Sequence, residues 1–220
     1  MKRILVYGDS NSWGFPADGS GQRYVRRWPV VMAEVLRIEL VEDCLPARST
    51  VHNHPDYPGE MMNGLAHLPV ALKSQSPVHG VVLMLGTNDL QVRYEPEAGK
   101  IAENIGRLVD CIRAVGGGLA GWYDETAPAV AMIIPPLIPE AARNRAFEDH
   151  EKWLLAPEVS LQLGAAVRSM AQARAVPVFD AGAVIEGAAS DPIHWTGESQ
   201  TSLGLAVGDW LQGVPGFGAG

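Results

Sequence analysis

The chain has 220 residues, 47% of them apolar and 19% charged, with a formal net charge of −8. That length suffices for one well-buried domain, and the composition is that of a globular chain rather than a disordered one. The acidic balance leaves no Lys/Arg cluster to neutralise phosphates, which argues against a nucleic-acid partner, and no segment reaches the roughly 20 apolar residues of a membrane span.

The first element is the apolar run RILVY (3–7), read as a buried strand that runs directly into the turn GDSNSWGF (8–15). WPVVMAEVLRIEL (28–40) starts as a helix with Pro29 in its first turn, and IELVED (38–43) then reads as a second strand. Residues 44–64 form a long polar, proline-bearing loop, too long for an ordinary connection and therefore functional or interfacial. VHGVVLMLG (78–86) is continuous, rich in β-branched residues and ended by Gly86: a third strand, followed by the turn TND (87–89). Residues 96–118 carry apolar positions at helical spacing and stop at three glycines. AVAMII (129–134) is a fourth strand, 135–155 a second long loop, 157–174 a helix and VPVFDAG (176–182) a fifth strand. The last helix, 196–212, is weakened by Gly204 and Gly208, and the tail GVPGFGAG is expected to fray.

Five strands with helices between them predict a single α/β domain over 1–220, a doubly wound three-layer α/β/α sandwich with a five-stranded parallel sheet. In such a fold ligands sit beyond the carboxyl ends of the strands, so the turns at Gly8, Gly86 and Asp180 open onto one edge. Two cysteines, Cys44 and Cys111, lack metal-ligand spacing and read as buried thiols of a reducing compartment. The start MKRILVYGDS has too short an apolar run for a secretory leader, so a cytoplasmic location is expected.

A serine in a strand-to-helix turn is ordinarily a cap, and its hydroxyl is a poor nucleophile until a base takes its proton. A base is available in SDPIHWTGE (190–198): Asp191 stands three before His194, so one loop can set a carboxylate against one imidazole nitrogen while the other faces away. Asn88, at the end of the third strand, can offer a side-chain N–H to a developing oxyanion. Asp89 is expected to brace its loop, and Trp13 to pack in the core.

GDS after strand one, GTND after strand three and DxxH before the final helix resemble, in order and over nearly the whole chain, the blocks of the SGNH (GDSL-type) hydrolases, which share a flavodoxin-like fold. GDSNSWG and LPARST (45–50) are similar to the first and second blocks of the small bacterial arylesterase and acyltransferase subgroup. The resemblance implies a serine esterase for short-chain, acetyl-type esters, with Ser10 as nucleophile, His194 as base and acid, and Asp191 orienting it. It implies an oxyanion hole of the backbone N–H groups of Ser10 and Ala47 and the Asn88 side chain. Most relatives carry glycine where Ala47 stands; a backbone donor survives that exchange, and Pro46, lacking an N–H, leaves Ala47 as the natural donor. Phe15 then lines the acyl channel, and Asn11, Thr87 and Ile193 adjoin the substrate. No cofactor or metal is implied. The partners are a small ester and a water or alcohol acceptor, and the 44–64 loop is expected to contribute to homo-oligomer contacts, as in octameric relatives. A carbohydrate acetylesterase is an alternative within the family.

Two readings from other classes compete. In a flavodoxin-like FMN-binding module the turn after strand one would cradle phosphate, but Asp9 would repel it and Asp191 and His194 would have no task. In a metal hydrolase His52 and His54 of HNHPD would be ligands, but no further ligands are paired with them.

Overall fold

The computed structural model describes residues 1–218. Five strands, β1 (Arg3–Gly8), β2 (Glu39–Cys44), β3 (Gly80–Met84), β4 (Ala129–Ile134) and β5 (Val178–Asp180), form one all-parallel sheet in the order β2-β1-β3-β4-β5. Side chains alternate across it as strand geometry requires. Leu5, Tyr7, Val81, Leu83, Met132 and Ile134 point to one face; Ile4, Val6, Val82, Met84, Ala131 and Ile133 point to the other. The helices α3 (Gly64–Ser74), α4 (Ala98–Val115) and α5 (Ala156–Ala173) cover the first face, and α2 (Trp28–Leu36) and α6 (Gly197–Gln212) the second, while α1 (Ser10–Trp13) is a single turn at the end of β1. The fold is thus the doubly wound α/β sandwich expected from the alternating pattern.

Register decides where the chemistry can gather. Gly8 lies beside Cys44 on one side and Met84 on the other, so β1, β2 and β3 end level. The segments that follow them leave from one edge, and the strand order reverses at β1/β3, where doubly wound sheets open a crevice.

Gly204 and Gly208, read from sequence as weaknesses of the last helix, are contact points. A Cβ on Gly204 would lie 2.5 Å from Val31 Cβ, and one on Gly208 2.7 Å from Val35 Cβ, so their absence lets α6 lie against α2. The tail is not frayed through residue 218: Phe217 is fully buried under the second face and Gly218 O accepts from Lys2 Nζ at 2.6 Å. The rest of the tail lies outside the described residues. α3 had no counterpart in the sequence reading, and β5 is only three residues long. Residues 135–155 contain two short 3₁₀ turns, Glu140–Arg143 and His150–Trp153. Cys44 and Cys111 are unpaired but half-buried rather than buried. Among the described residues no helix is long and apolar enough to cross a membrane.

Candidate active site

The turn after β1 is shaped by two residues beside the serine. A Cβ on Gly8 would sit 2.2 Å from Ser12 Oγ, so the chain can turn sharply there only through glycine. Asp9 then caps α1, its Oδ1 accepting the Asn11 N–H at 3.0 Å, and Gly14 in the left-handed region (φ 89°) ends the turn by donating to Ser10 O. Ser10 is left as the first residue of a clamped helical turn, buried except for its hydroxyl side facing a cleft. Asp9 itself is fully buried; desolvation pushes its carboxyl up to about 6, against the opposing Asn11 hydrogen bond, and its Oδ2 has no hydrogen-bond partner.

The second arm is the loop before α6. Asp191 Oδ1 accepts the N–H groups of Ile193 at 2.8 Å and His194 at 3.1 Å, which folds the loop into an Asx turn. Oδ2 remains for His194 Nδ1, 2.6 Å away, and His194 Nε2 faces Ser10 Oγ at 3.1 Å. Burial alone would raise the Asp191 carboxyl, but the hydrogen bond to His194 and the two backbone N–H groups hold it below its ordinary range. The two arms are stitched together: Asn11 Nδ2 donates to Ile193 O at 3.1 Å, Gln200 Nε2 to Asn11 O at 3.0 Å and Ser190 Oγ to Ala17 O at 3.1 Å. The Phe15 ring lies 4.6 Å from the His194 ring, closing one side of the imidazole.

The third group comes from the turns after β2 and β3. Ala47 has φ +66°, a left-handed region that favours glycine and is strained for alanine. Asn88 is 7% exposed; one N–H of its amide donates to Arg48 O at 3.0 Å, and its Oδ1 accepts from Gln91 Nε2 at 3.2 Å. Those two bonds define which side of the amide carries nitrogen and leave its second N–H free. Asp89 is buried and accepts Thr50 N–H at 2.9 Å and the Thr50 hydroxyl, tying the second block to the third as a brace.

Ser10, Ala47, Asn88, Asp191 and His194 all line one cleft of about 950 Å³. Phe15 and Ile193 line it too. Asn11 and Thr87, expected to adjoin substrate, are buried and are not among the residues that line this cleft; Asn11 instead holds the histidine loop. Trp13 is half-buried under the Arg23 guanidinium, 5.2 Å from its ring centre, rather than in the core. Both long loops build the outer cleft: His54, Asp56 and Tyr57 from one, Phe147, Glu148, Asp149, Lys152 and Trp153 from the other. His52 and His54 serve different neighbours. His52 stacks on Tyr94 at 4.4 Å, while burial and Arg93, whose Nη1 is 3.2 Å from His54 Nε2, hold His54 below its ordinary range. Among the described residues no group of three or more His, Cys, Asp or Glu converges as metal ligands.

Sequence reasoning missed Gln91 and Gln200. Gln91 stands three after Asn88, a spacing that brings side chains together on one helical turn, and that offset was the available signal. Gln200, which also accepts the Trp28 N–H at 2.9 Å, had none, because its partners are distant in the chain.

Known proteins share this fold. An M. smegmatis aryl esterase superposes with a TM-score of 0.85 at 32% identity, over 96% of this chain and 99% of its own. Est24, a carbohydrate acetylesterase from Sinorhizobium meliloti, gives 0.84 at 31% identity, over 96% and 98%. A carbohydrate acetylesterase family member from the same organism gives 0.85 at 29%, also over 96% and 98%. A search among curated proteins finds no match. Matched over residues 6–201, most of its length, by the model of the GDSL-like lipase/acylhydrolase family, the chain belongs to that family of hydrolases.

Proposed function

We propose that the protein is a serine esterase that cleaves short-acyl, acetyl-type esters through an acyl-serine and can pass the acyl group to an alcohol. The observation that carries this reading is the line from Asp191 Oδ2 through His194 to Ser10 Oγ, with steps of 2.6 and 3.1 Å, ending in the same cleft as the Ala47 and Asn88 turns. In the first half-reaction Ser10 Oγ attacks the ester carbonyl carbon and its proton passes to His194 Nε2. The carbonyl oxygen becomes an oxyanion facing the N–H groups of Ser10, Ala47 and Asn88. The C–O bond to the alcohol then breaks, and that alcohol leaves with the proton from His194. Water, or a second alcohol, gives its proton to His194 and attacks the acyl-serine, and Ser10 recovers its proton as the bond breaks. Asp191 stays ionised throughout, holding the imidazole tautomer and stabilising the imidazolium.

The geometry beside the imidazole supports a short acyl group: Phe15 closes one flank, and Ala47 lines the same cleft. The outer cleft supports a larger alcohol. Its lining includes the aromatic Tyr57, Phe147 and Trp153 and the acidic Asp18, Asp56 and Glu148, while the one lining lysine, Lys152, is paired with Asp149 at 2.6 Å. That lining suits a neutral, hydroxyl-rich alcohol and repels an anionic one, which favours a sugar acetate over a simple aryl acetate as the natural ester. The reading includes association of copies through the 44–64 loop, checked by light scattering.

The test is a chain-length series with p-nitrophenyl esters beside acetylated sugars. Acetyl should exceed octanoyl in kcat/KM by at least tenfold, and an organophosphonate should add one label, found by mass spectrometry on Ser10. A label elsewhere, or a preference for long acyl chains, overturns the assignment.

A further inference from the structure

The oxyanion turn is centred on a residue that disfavours it. Leu45, Pro46, Ala47 and Arg48 form a turn closed by the Arg48 N–H donating to Leu45 O at 3.1 Å. Proline in the second position holds φ near −65°, and Ala47 in the third has φ +66°. That pairing is a type II turn, whose third position favours glycine. For alanine the left-handed conformation costs about 1–2 kcal/mol, a factor of about 5–30 in population if nothing opposes relaxation. Relaxing Ala47 to negative φ would rotate the Pro46–Ala47 peptide, and with it the N–H that the esterase reading assigns to the oxyanion hole. Such strain persists only where neighbouring structure over-determines the conformation.

Arg48 is the neighbour that does so. Its side chain is 2% exposed. Nη1 donates to Asp43 O at 2.5 Å, Nη2 to Asp43 Oδ1 at 2.7 Å, and the guanidinium lies 4.3 Å over the Tyr7 ring, whose hydroxyl donates to Gly64 O at 2.7 Å. Nη1 also stands 3.4 Å from Gly8 O, two residues before the serine. The Arg48 carbonyl accepts from Asn88 Nδ2 at 3.0 Å. The residue after the strained alanine is therefore held by its N–H within the turn, by its side chain to β2 and β1, and by its carbonyl to Asn88. A buried, desolvated guanidinium is a costly way to tie a loop to a sheet unless the loop's position matters. Its planar fork bonds two acceptors of Asp43 while its face lies on the Tyr7 ring, a combination that the compact ammonium of lysine does not reproduce.

We propose that Arg48 is the positioning residue of the oxyanion hole: anchored to Asp43, Tyr7 and Asn88, it keeps Ala47 in the strained turn that aims the Ala47 N–H at the substrate carbonyl oxygen. The inference rests on the esterase reading and assigns Arg48 no contact with substrate.

Glycine takes the left-handed conformation without penalty, so it should make the anchor less necessary. Arg48→Lys and Asp43→Asn are made alone and each together with Ala47→Gly. Hydrolysis of p-nitrophenyl acetate is measured well below each variant's Tm. Arg48→Lys should lower kcat about tenfold, the size of the left-handed penalty, with KM changed less than twofold and the shape of the pH profile kept. Adding Ala47→Gly should restore most of the lost kcat. Asp43→Asn, at a partly exposed side chain, should show the same pattern at smaller amplitude and decides the matter if Arg48→Lys fails to fold. Undiminished kcat in the Arg48 variant, or a loss that Ala47→Gly leaves unrestored, overturns the inference while the native protein remains an active esterase. A native protein with no esterase activity refutes the esterase reading itself, and the inference with it.

Discussion

On the nucleophile side of the cleft each arm is built from bonds between near neighbours. Asp9 caps Asn11 two residues on, and Asp191 holds Ile193 and His194 two and three residues on. Bonds between residues far apart in the chain then join the two pieces, and one of them, from His194 to Ser10 across 184 residues, lies on the reaction path itself. On the oxyanion side the supports are distant in sequence and buried: Asn88 to Arg48 across 40 residues, Asp89 to Thr50 across 39, Tyr7 to Gly64 across 57. The first side fails at single atoms, because the reaction passes through each of them. The second shares its task among several supports, so losses there should be graded.

The largest effect tests the first half of that contrast. Ser10→Ala removes the attacking atom, and p-nitrophenyl acetate hydrolysis should fall by about 10⁴-fold or more, with the circular dichroism spectrum and Tm near native. A variant that keeps even a tenth of the activity would place the nucleophile elsewhere. Asn88→Ala comes next. It removes one of three donors, and kcat should fall by about 10²–10³-fold with KM little changed, while phosphonate labelling of Ser10 continues at a reduced rate. A loss as deep as that of Ser10→Ala would mean that the oxyanion side is not graded.

Gln91 sharpens the comparison further. Gln91→Met keeps side-chain length but cannot donate to Asn88 Oδ1, so the buried amide loses the bond that sets its orientation. One hydrogen bond of this kind is worth about 1 kcal/mol, so kcat should fall about fivefold, with the pH dependence unaltered. Unchanged kcat would show that the Arg48 carbonyl alone orients Asn88.

The same contrast accounts for what could be read from the chain without coordinates. The Ser10 turn and the Asp191–His194 loop were legible because each is a short motif whose residues interact with one another, at the end of a strand or the start of a helix that apolar patterning reveals. The strands β1, β3 and β4 were legible as continuous apolar runs. α3 was not: Pro69 stands in its interior and breaks the helical signal, and the helix persists because Leu68, Ala71 and Leu72 are buried against the sheet. Phe217 was misjudged because glycines and a proline surround it, a local signal of looseness that its burial overrides. Asn11 was placed in the substrate channel because it follows the nucleophile. It turns instead to Ile193 O, a partner 182 residues away that no local pattern announces. Arg48 was opaque for the same reason: its carbonyl and guanidinium meet Asn88 and Gly8, each 40 residues away.

The smallest effect separates stability from chemistry on the nucleophile side. Asp9 is fully buried, and its carboxyl is pushed up to about 6 from an ordinary 3.8, chiefly by desolvation. Its folded value is the higher one, so between about pH 4 and pH 6 the folded state binds more proton than the unfolded state. Asp9 therefore costs nothing below about pH 4, costs progressively more as pH rises and reaches its full penalty above about pH 6. Asp9→Asn removes that penalty and keeps the cap, since asparagine caps as well as aspartate, but it buries an N–H₂ where Oδ2 already lacks a partner. The two terms partly offset, leaving a gain of about 1 kcal/mol at pH 7.5 and, because the cost of the buried N–H₂ does not depend on pH, a loss of about 1–2 kcal/mol at pH 4. Activity should move the other way, because the Asp9 charge favours the His194 imidazolium that forms as Ser10 attacks. The measurement is the Tm difference between variant and native protein from pH 4 to pH 8, in which all other titrations cancel. A difference that grows with pH while kcat falls shows that the buried carboxylate is retained for catalysis at the expense of stability. A difference independent of pH would show that Asp9 titrates at the same pH in the folded and unfolded chain, so that its burial carries no electrostatic penalty.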